Sequence, residues 1–227
     1  MKEILLDDIK FVIDFNNLLE ELHIESDTKK AKKIKCITEK ALELASPKVL
    51  YKTSFIDEKG DDYVIIEGIK FVSKILRDNL DSVQKVFPYV ATCGKELEEW
   101  SRQYEDDFLI NYWTDVIKRK ALNTARETLK KDIKDKKFKG TISKMNPGSL
   151  PNWPISEQEK LFGIFEDVEG KIEVKLNKSF LMNPVKSTSG FWFPSEVKFE
   201  NCQLCPRKDC PNRKASFDKK LYQSYYN

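Results

Sequence analysis

The chain has 227 residues, which suits one large domain or two small ones and is enough to bury a core. Lysine and arginine number 40 and aspartate and glutamate 37, so the net charge of +3 lacks the basic excess of a dedicated nucleic-acid-binding protein. No apolar run approaches the roughly twenty residues that span a bilayer, and the first residues include acids where a signal peptide would be apolar. We therefore expect a cytoplasmic protein that binds neither nucleic acid nor membrane.

The first part of the chain predicts strands and helices in alternation. In order, the patterns predict a strand over 9–13, helices over 16–24 and 28–44, a hairpin of strands over 49–56 and 63–69, and a helix over 71–81. A buried strand over 83–92, interrupted by Pro88, follows. Gly94 then opens an acidic first helical turn, which is typical of a turn from a strand into a helix.

The longest helical pattern begins at Asp106, where apolar residues recur at intervals of three and four as far as Ile133. It predicts a long central helix that ends in the basic run 130–139, where cations suit the negative helix end. The remaining patterns predict a short strand over 140–143, a helix from Ser156, a strand over 168–175 and a hairpin over 176–193.

Residues 144–154 predict a rigid loop. Three prolines and Gly148 within eleven residues exclude a helix and a central strand. The same loop holds Met145, Leu150 and Trp153, so it is not a flexible linker. A rigid, apolar loop of this kind commonly holds backbone groups against a ligand, and a tightly packed connection without a ligand is the alternative.

The cysteines near the end of the chain predict a metal site. The predicted ligands are Cys202, Cys205 and Cys210. Two residues between the first pair let both sulfurs face one ion, and thiolates bind zinc and iron–sulfur clusters strongly. A fourth ligand would come from solvent, an external ligand or one of four side chains: Cys93, Cys36, His23 and Asp209. For Cys93, at the end of a predicted strand, the alternative is a small buried residue.

Other familiar sites are absent from the sequence. It contains no Gly-rich phosphate loop and no Gly-x-Gly-x-x-Gly motif, so nucleotide phosphates are not an obvious ligand. The single histidine, His23, lies in an early predicted helix, which argues against a Ser-His-Asp triad.

Four segments together resemble a known family. They are Phe-Pro-Tyr-Val-Ala-Thr-Cys-Gly at 87–94, Asn-Pro-Gly-Ser at 146–149, Ser-Phe-Leu-Met-Asn-Pro at 179–184 and Ser-Thr-Ser-Gly-Phe at 187–191. This set resembles the activation (reactivation) domain of cobalamin-dependent methionine synthase, in its free-standing form. With the predicted elements, the resemblance implies an α+β fold with a mixed, mainly antiparallel sheet, a long central helix and flanking helices.

The resemblance also implies a ligand and a partner. The family binds S-adenosylmethionine and packs on a corrinoid-binding domain, so that inactive cobalamin is reduced and remethylated. The family's Arg-x-x-x-Gly-Tyr motif falls on residues 144–149, with lysine and serine at the arginine and tyrosine places. The implied cofactor-binding residues are Lys144, Asn146, Pro147, Gly148, Ser149, Ser187, Ser189, Gly190 and Glu127.

The cysteine motif lies outside the methionine synthase pattern. We therefore predict an activation-domain-like domain over 1–200 and a metal-binding or cluster-binding tail over 201–227. The resulting hypothesis is an accessory protein for a corrinoid (cobalamin) methyltransferase, which binds S-adenosylmethionine and carries an iron–sulfur cluster. The alternative is a zinc-stapled module that docks on a corrinoid protein without chemistry of its own.

Overall fold

The computed structural model describes residues 2–196, 199–210 and 213–226. Its strands are β1 (Ile4–Leu6), β2 (Lys48–Tyr51), β3 (Ser54–Lys59), β4 (Tyr63–Ile66), β5 (Ile69–Val72), β6 (Lys85–Thr92), β7 (Ile142–Met145), β8 (Lys175–Leu176), β9 (Met182–Asn183) and β10 (Ser187–Pro194). Its α-helices are α1 (Phe15–Glu21), α2 (Lys29–Leu44), α3 (Lys74–Asn79), α4 (Lys95–Ser101), α5 (Phe108–Lys136), α6 (Glu157–Phe162), α7 (Val168–Ile172) and α8 (Lys219–Tyr226). The predicted α+β fold is confirmed.

Strand β6 is the centre of an antiparallel sheet. Along one side it pairs with β10, and β7 pairs with the far side of β10. Along its other side β6 pairs with β2 at one end and with β3 at the other, and β1, β4 and β5 extend the sheet from these two strands. Pro88 does not interrupt the strand. Its carbonyl oxygen accepts from the Lys52 amide, so the missing amide hydrogen faces the gap between β2 and β3.

Both faces of the sheet are buried, each by its own core cluster. Successive side chains of β6 point to opposite faces and so contribute to both clusters. Phe87 and Tyr89 face a first core cluster formed with α1, α2, α4 and α5. Val86 and Val90 face a second core cluster formed with α3, α6 and α7.

Helix α5 is the long central helix predicted from the sequence. The Asp107 side chain caps its start by accepting from the amides of Leu109 and Ile110 at 3.1 and 3.0 Å. Its last turn carries Lys134 and Lys136, as the negative helix end favours. Its apolar face packs into the first core cluster from Ile110 to Ile133.

Two predicted elements are wrong, and a third is shorter than predicted. Residues 9–13 are not a strand, and β1 takes the place beside β2 instead. Of the predicted helix over 71–81, only α3 is helical, with Ile75 and Leu76 buried as predicted. Residues 71 and 72 are the end of strand β5. Residues 168–175 form helix α7 and the start of β8, because the side chain of Asp167 caps the helix through the Gly170 amide at 2.7 Å. Val168 and Ile172, spaced by four, form its buried face.

The predicted hairpin over 176–193 is also not formed as such. Strands β8 and β9 make a small two-stranded sheet, in which the Asn177 side chain accepts from the amides of Ser179 and Leu181. Strand β10 pairs with β6 and β7 instead. This pairing places Phe191 and Phe193 in the second core cluster.

The C-terminal segment packs on the same sheet. Leu204 is buried in the second core cluster, and tyrosines of α8 pack against that cluster. In the described parts of the chain, no helix has both the length and the apolar character that crossing a membrane requires.

Candidate functional site

The proline-containing segment after β7 is a tight turn packed against β10. The Gly148 amide donates to the Trp153 carbonyl at 2.8 Å, and the Trp153 amide donates to the Leu150 carbonyl at 3.1 Å. The Trp153 ring stacks on Phe191 with a centroid distance of 5.7 Å. Gly148 has a φ of +77°, a conformation that side chains other than glycine rarely adopt. The irregular segment is shorter than predicted, because Lys144 and Met145 belong to β7.

Asn146 joins this turn to β10 and β6. Its side-chain amide lies 2.5 Å from the Ser189 carbonyl oxygen, 2.7 Å from the Tyr89 hydroxyl and 3.3 Å from the Thr188 hydroxyl. Gly190 permits this close approach, since a Cβ there would lie 2.2 Å from the Met145 carbonyl oxygen. The turn is therefore held rigidly beside the first residues of β10.

A cavity of about 800 Å³ opens between the turn, the start of β10 and the C-terminal segment. This volume is typical of small-molecule sites. The lining residues are Arg126, Lys144, Asn146, Pro147, Ser149, Ile155, Gln158, Asn177, Leu181, Met182, Asn183, Val185, Ser187, Thr188, Ser189, Glu200, Asn201, Cys202 and Lys214.

The cavity brings together most of the residues that the resemblance implied. Those that line it are Lys144, Asn146, Pro147, Ser149, Ser187 and Ser189. Gly148 and Gly190 do not line it but set the backbone around it. Glu127 lies apart: it lines a recess of about 80 Å³ behind Lys144, and its exposed carboxylate lies 3.7 Å from the Lys130 ammonium.

Hydrogen bonds order one wall of the cavity. The Ser189 hydroxyl donates to the Gln158 side chain at 2.9 Å, and the Gln158 amide donates to the Phe180 carbonyl at 2.7 Å. The Ser187 hydroxyl donates to the Thr92 hydroxyl at 2.9 Å. These fixed positions leave a polar edge along the start of β10, which suits the hydroxyl and amino groups of a ligand.

The Lys144 ammonium is largely buried and lies near two other cations. Burial, together with the nearby charges of Arg126 and Lys214, lowers the pKa of its ammonium to about 7, and Glu200 and Glu127 oppose this shift. Its ammonium lies 5.6 Å from the centroid of the Trp192 ring. Within the described residues, Lys144 takes part in no ion pair. An anionic ligand group would therefore stabilise its charged form.

Sequence reasoning missed several lining residues. Arg126 lies beside Glu127 on α5, and the helical pattern alone did not show which of the two faces the cavity. Gln158 and Lys214 come from a different helix and from the C-terminal segment. No local signal in the sequence points to either of them, because only the tertiary fold places them beside β7.

The predicted metal ligands are not assembled. Within residues 2–196, 199–210 and 213–226, no three or more side chains of histidine, cysteine, aspartate or glutamate are arranged to hold a metal ion. Cys202 lines the cavity, and its sulfur accepts from the Lys214 amide at 3.4 Å. Arg213 holds the loop, donating to the carbonyls of Cys202 and Cys205 at 3.0 and 3.2 Å and also to Arg207.

Cys93 lies away from the cysteine loop. It is buried in the first core cluster, whereas Leu204 of the loop is in the second cluster, across the sheet. Burial, with the nearby Glu98 carboxylate, raises the pKa of the Cys93 thiol to about 12. The environment is that of a packed core thiol, and the structure does not bring Cys93 to the other three cysteines.

The fold is similar to that of a solved structure. It is a crystal structure of the MetH reactivation domain bound to AdoHcy, with a TM-score of 0.56 and 15% sequence identity over 88% of this chain and 80% of that chain. No protein-family model and no curated protein matches the sequence. The similarity therefore establishes the fold, in agreement with the resemblance seen in the sequence.

Proposed function

We propose that this protein binds S-adenosylmethionine and serves the reductive remethylation of a corrinoid methyltransferase. One observation carries the proposal: the rigid turn at 146–149 and the polar edge Ser187–Ser189 enclose a cavity of ligand size. The similar MetH reactivation domain was solved with AdoHcy, the demethylated form of the same ligand. The role of this chain is to hold the methyl donor where a partner's corrinoid can reach it.

The residues present fit such a ligand. Lys144 supplies a positive charge for the carboxylate. The hydroxyl oxygens of Ser187 and Ser189, whose protons are donated to Thr92 and Gln158, can accept from the ligand. The backbone of the Pro147–Ser149 turn offers a fixed wall for the adenosine. Ser149 cannot stack on adenine as an aromatic ring would, so the affinity depends more on the polar and charged contacts.

Calorimetry with AdoHcy and a pair of matched glycine variants tests the binding. Gly148 and Gly68 both have positive φ, at +77° and +74°. A Cβ at Gly148 meets Ile155 of the cavity wall at 3.1 Å, whereas a Cβ at Gly68 meets nothing within 4 Å. We expect Gly148→Val to weaken AdoHcy binding by about tenfold or more and Gly68→Val to leave it unchanged. Wild-type protein that binds no AdoHcy would refute the proposal.

The rim of the cavity supports a protein partner on the same face. Ile155, Leu181 and Val185 line the cavity and are 37%, 53% and 64% exposed. Exposed apolar side chains around a ligand site are typical of a surface that a partner covers. The proposed partner is the corrinoid-binding protein whose cofactor receives the methyl group.

A reactivation assay tests the partner. A corrinoid methyltransferase inactivated by oxidation would be mixed with this protein, S-adenosylmethionine and a chemical reductant, and its recovered activity measured. We expect recovery to need both this protein and S-adenosylmethionine. The Leu181→Asp and Val185→Asp variants should lose recovery even at saturating S-adenosylmethionine, because a charge on the exposed apolar rim disfavours contact with the partner.

A second candidate function is the zinc-stapled module that docks without chemistry. Its motivating observation is the hydrogen bond from the Lys214 amide to the Cys202 sulfur, a contact that a free thiol and a metal-bound thiolate can both accept. The ligand set is not assembled in the described residues, so no step of the proposed function depends on a metal. Iron, sulfide and zinc analysis after anaerobic purification decides between a cluster, a zinc site and free thiols.

A further inference from the structure

The inner end of the cavity concentrates positive charge. Arg126, Lys144 and Lys214 line both the main cavity and the small recess behind Lys144. They come from three separate parts of the chain: helix α5, strand β7 and the C-terminal segment. Glu200 is the one carboxylate among the described residues that line the main cavity. The lining therefore carries an excess of cations over anions.

The Arg126 guanidinium is incompletely bonded. Its Nη1 donates to the Asn123 side chain on the same helix at 3.2 Å. Its Nε is buried and has no acceptor in the described residues. A buried donor without an acceptor costs free energy, and a guanidinium offers two parallel donors that match a carboxylate. An anionic group in the cavity would satisfy this donor.

The neighbouring lysines, Lys144 and Lys214, also lack an anionic partner among the described residues. Neither the Lys144 nor the Lys214 ammonium takes part in an ion pair among the residues that the structure describes. Burial lowers the pKa of Lys144 most, the charges of Arg126 and Lys214 act in the same direction, and Glu200 and Glu127 oppose them. Three cations against one carboxylate, Glu200, among the described residues that line the main cavity favour the binding of an oxyanion.

We propose that Arg126 and Lys214, together with Lys144, form the subsite for the carboxylate of the adenosyl amino acid. The inference rests on the proposed function for the identity of the ligand, and it adds two binding residues outside the 144–149 motif. Arg126 supplies the planar two-donor contact that a lysine at position 144 does not give. Lys214 makes the C-terminal segment part of the ligand site, so that this segment helps to select ligands with a free carboxylate.

Two ligands that differ at the amino acid test the subsite. AdoHcy carries the carboxylate, and methylthioadenosine has the same adenosine without it. We expect Arg126→Gln and Lys214→Gln each to weaken AdoHcy binding about tenfold or more in calorimetry and to change methylthioadenosine binding less than about twofold. Lys131→Gln is the control, because Lys131 is exposed on the same helix and lines neither the main cavity nor the recess.

A second measurement is independent of the adenosyl ligand. Sulfate alone should raise the melting temperature of the wild type and of Lys131→Gln by about 2–4 °C more than that of the double variant Arg126→Gln/Lys214→Gln. The comparison cancels the general stabilisation by sulfate, which acts on all three proteins.

The outcomes separate the two proposals. If AdoHcy does not bind but the double variant loses the sulfate effect, the proposed function fails and the anion subsite stands. If AdoHcy binds and both single variants bind it as the wild type does, the subsite is overturned and the proposed function stands. If the wild type responds to neither ligand, both are overturned.

Discussion

The affinity for AdoHcy should depend on pH through Lys144. Burial lowers the pKa of Lys144 to about 7, so its ammonium is mostly charged at pH 6 and mostly neutral at pH 8. Only the charged form attracts the ligand carboxylate. At about pH 8 roughly nine tenths of the free protein has lost this proton, so we expect the dissociation constant to be about tenfold higher than at pH 6.

The Lys144→Arg variant provides the control. A guanidinium stays charged across this range, so the variant should bind AdoHcy with nearly the same affinity at both values of pH. Arg126, Lys214, Glu200 and Glu127 also act on Lys144 and remain in the variant. A difference between the two proteins therefore reports Lys144 itself.

The assay is calorimetric titration of both proteins with AdoHcy at about pH 6, 7 and 8, repeated with methylthioadenosine. Methylthioadenosine lacks the carboxylate, so its affinity should not change with pH through this group. Equal wild-type affinity for AdoHcy at the lowest and highest values would refute the reasoning. A pH dependence that persists in Lys144→Arg would assign the effect to another group.

Three further predictions concern stability. In the folded protein the lowered pKa of Lys144 releases its proton near pH 7 instead of near 10.5, so the unfolded chain binds more protons between these values and stability rises with pH there. Chemical denaturation should show that Lys144→Met removes this rise and is more stable than the wild type at pH 6, although it binds AdoHcy less well. Lys118→Ala should cost about 3–5 kcal/mol, because it leaves the buried Glu98 carboxylate, 3.1 Å from the Lys118 ammonium, without a partner. Lys40→Ala, which breaks an exposed pair with Glu43, should cost less than about 1 kcal/mol, and equal costs for the two would contradict this account. Gly190→Ala should destabilise by about 1–3 kcal/mol and weaken AdoHcy binding, because the added Cβ meets the Met145 carbonyl oxygen at 2.2 Å; an unchanged unfolding midpoint would disprove it.

The sequence predicts best the elements that have a long apolar repeat or a clear turn residue at their start. The apolar repeat of α5 and the Gly94 turn into α4 both appear where they were expected. Short elements were harder, because five residues with two apolar positions fit either period. The sequence alone predicts a strand over 168–175, whereas the cap from Asp167 makes the first part a helix.

In the site, too, the sequence determined the local backbone better than the contacts between distant side chains. The composition of residues 144–154 determined by itself that the chain must turn rigidly there, since proline and glycine restrict the local backbone whatever surrounds them. The resemblance then indicated which side chains of the turn and of β10 would meet, and six of them line the cavity. Their part in ligand binding stays a prediction until the titrations above are made.

Only the tertiary structure decided what completes the cavity. Arg126, Lys144 and Lys214 are far apart in the sequence and come together because α5, β7 and the C-terminal segment pack around one edge of the sheet. The sequence likewise determined that three cysteines lie close together near the end of the chain, but the fold placed Cys202 at the cavity and Cys93 across the sheet. The physical reason is that local patterns fix backbone conformation, whereas the meeting of distant side chains depends on which faces the sheet and helices bury.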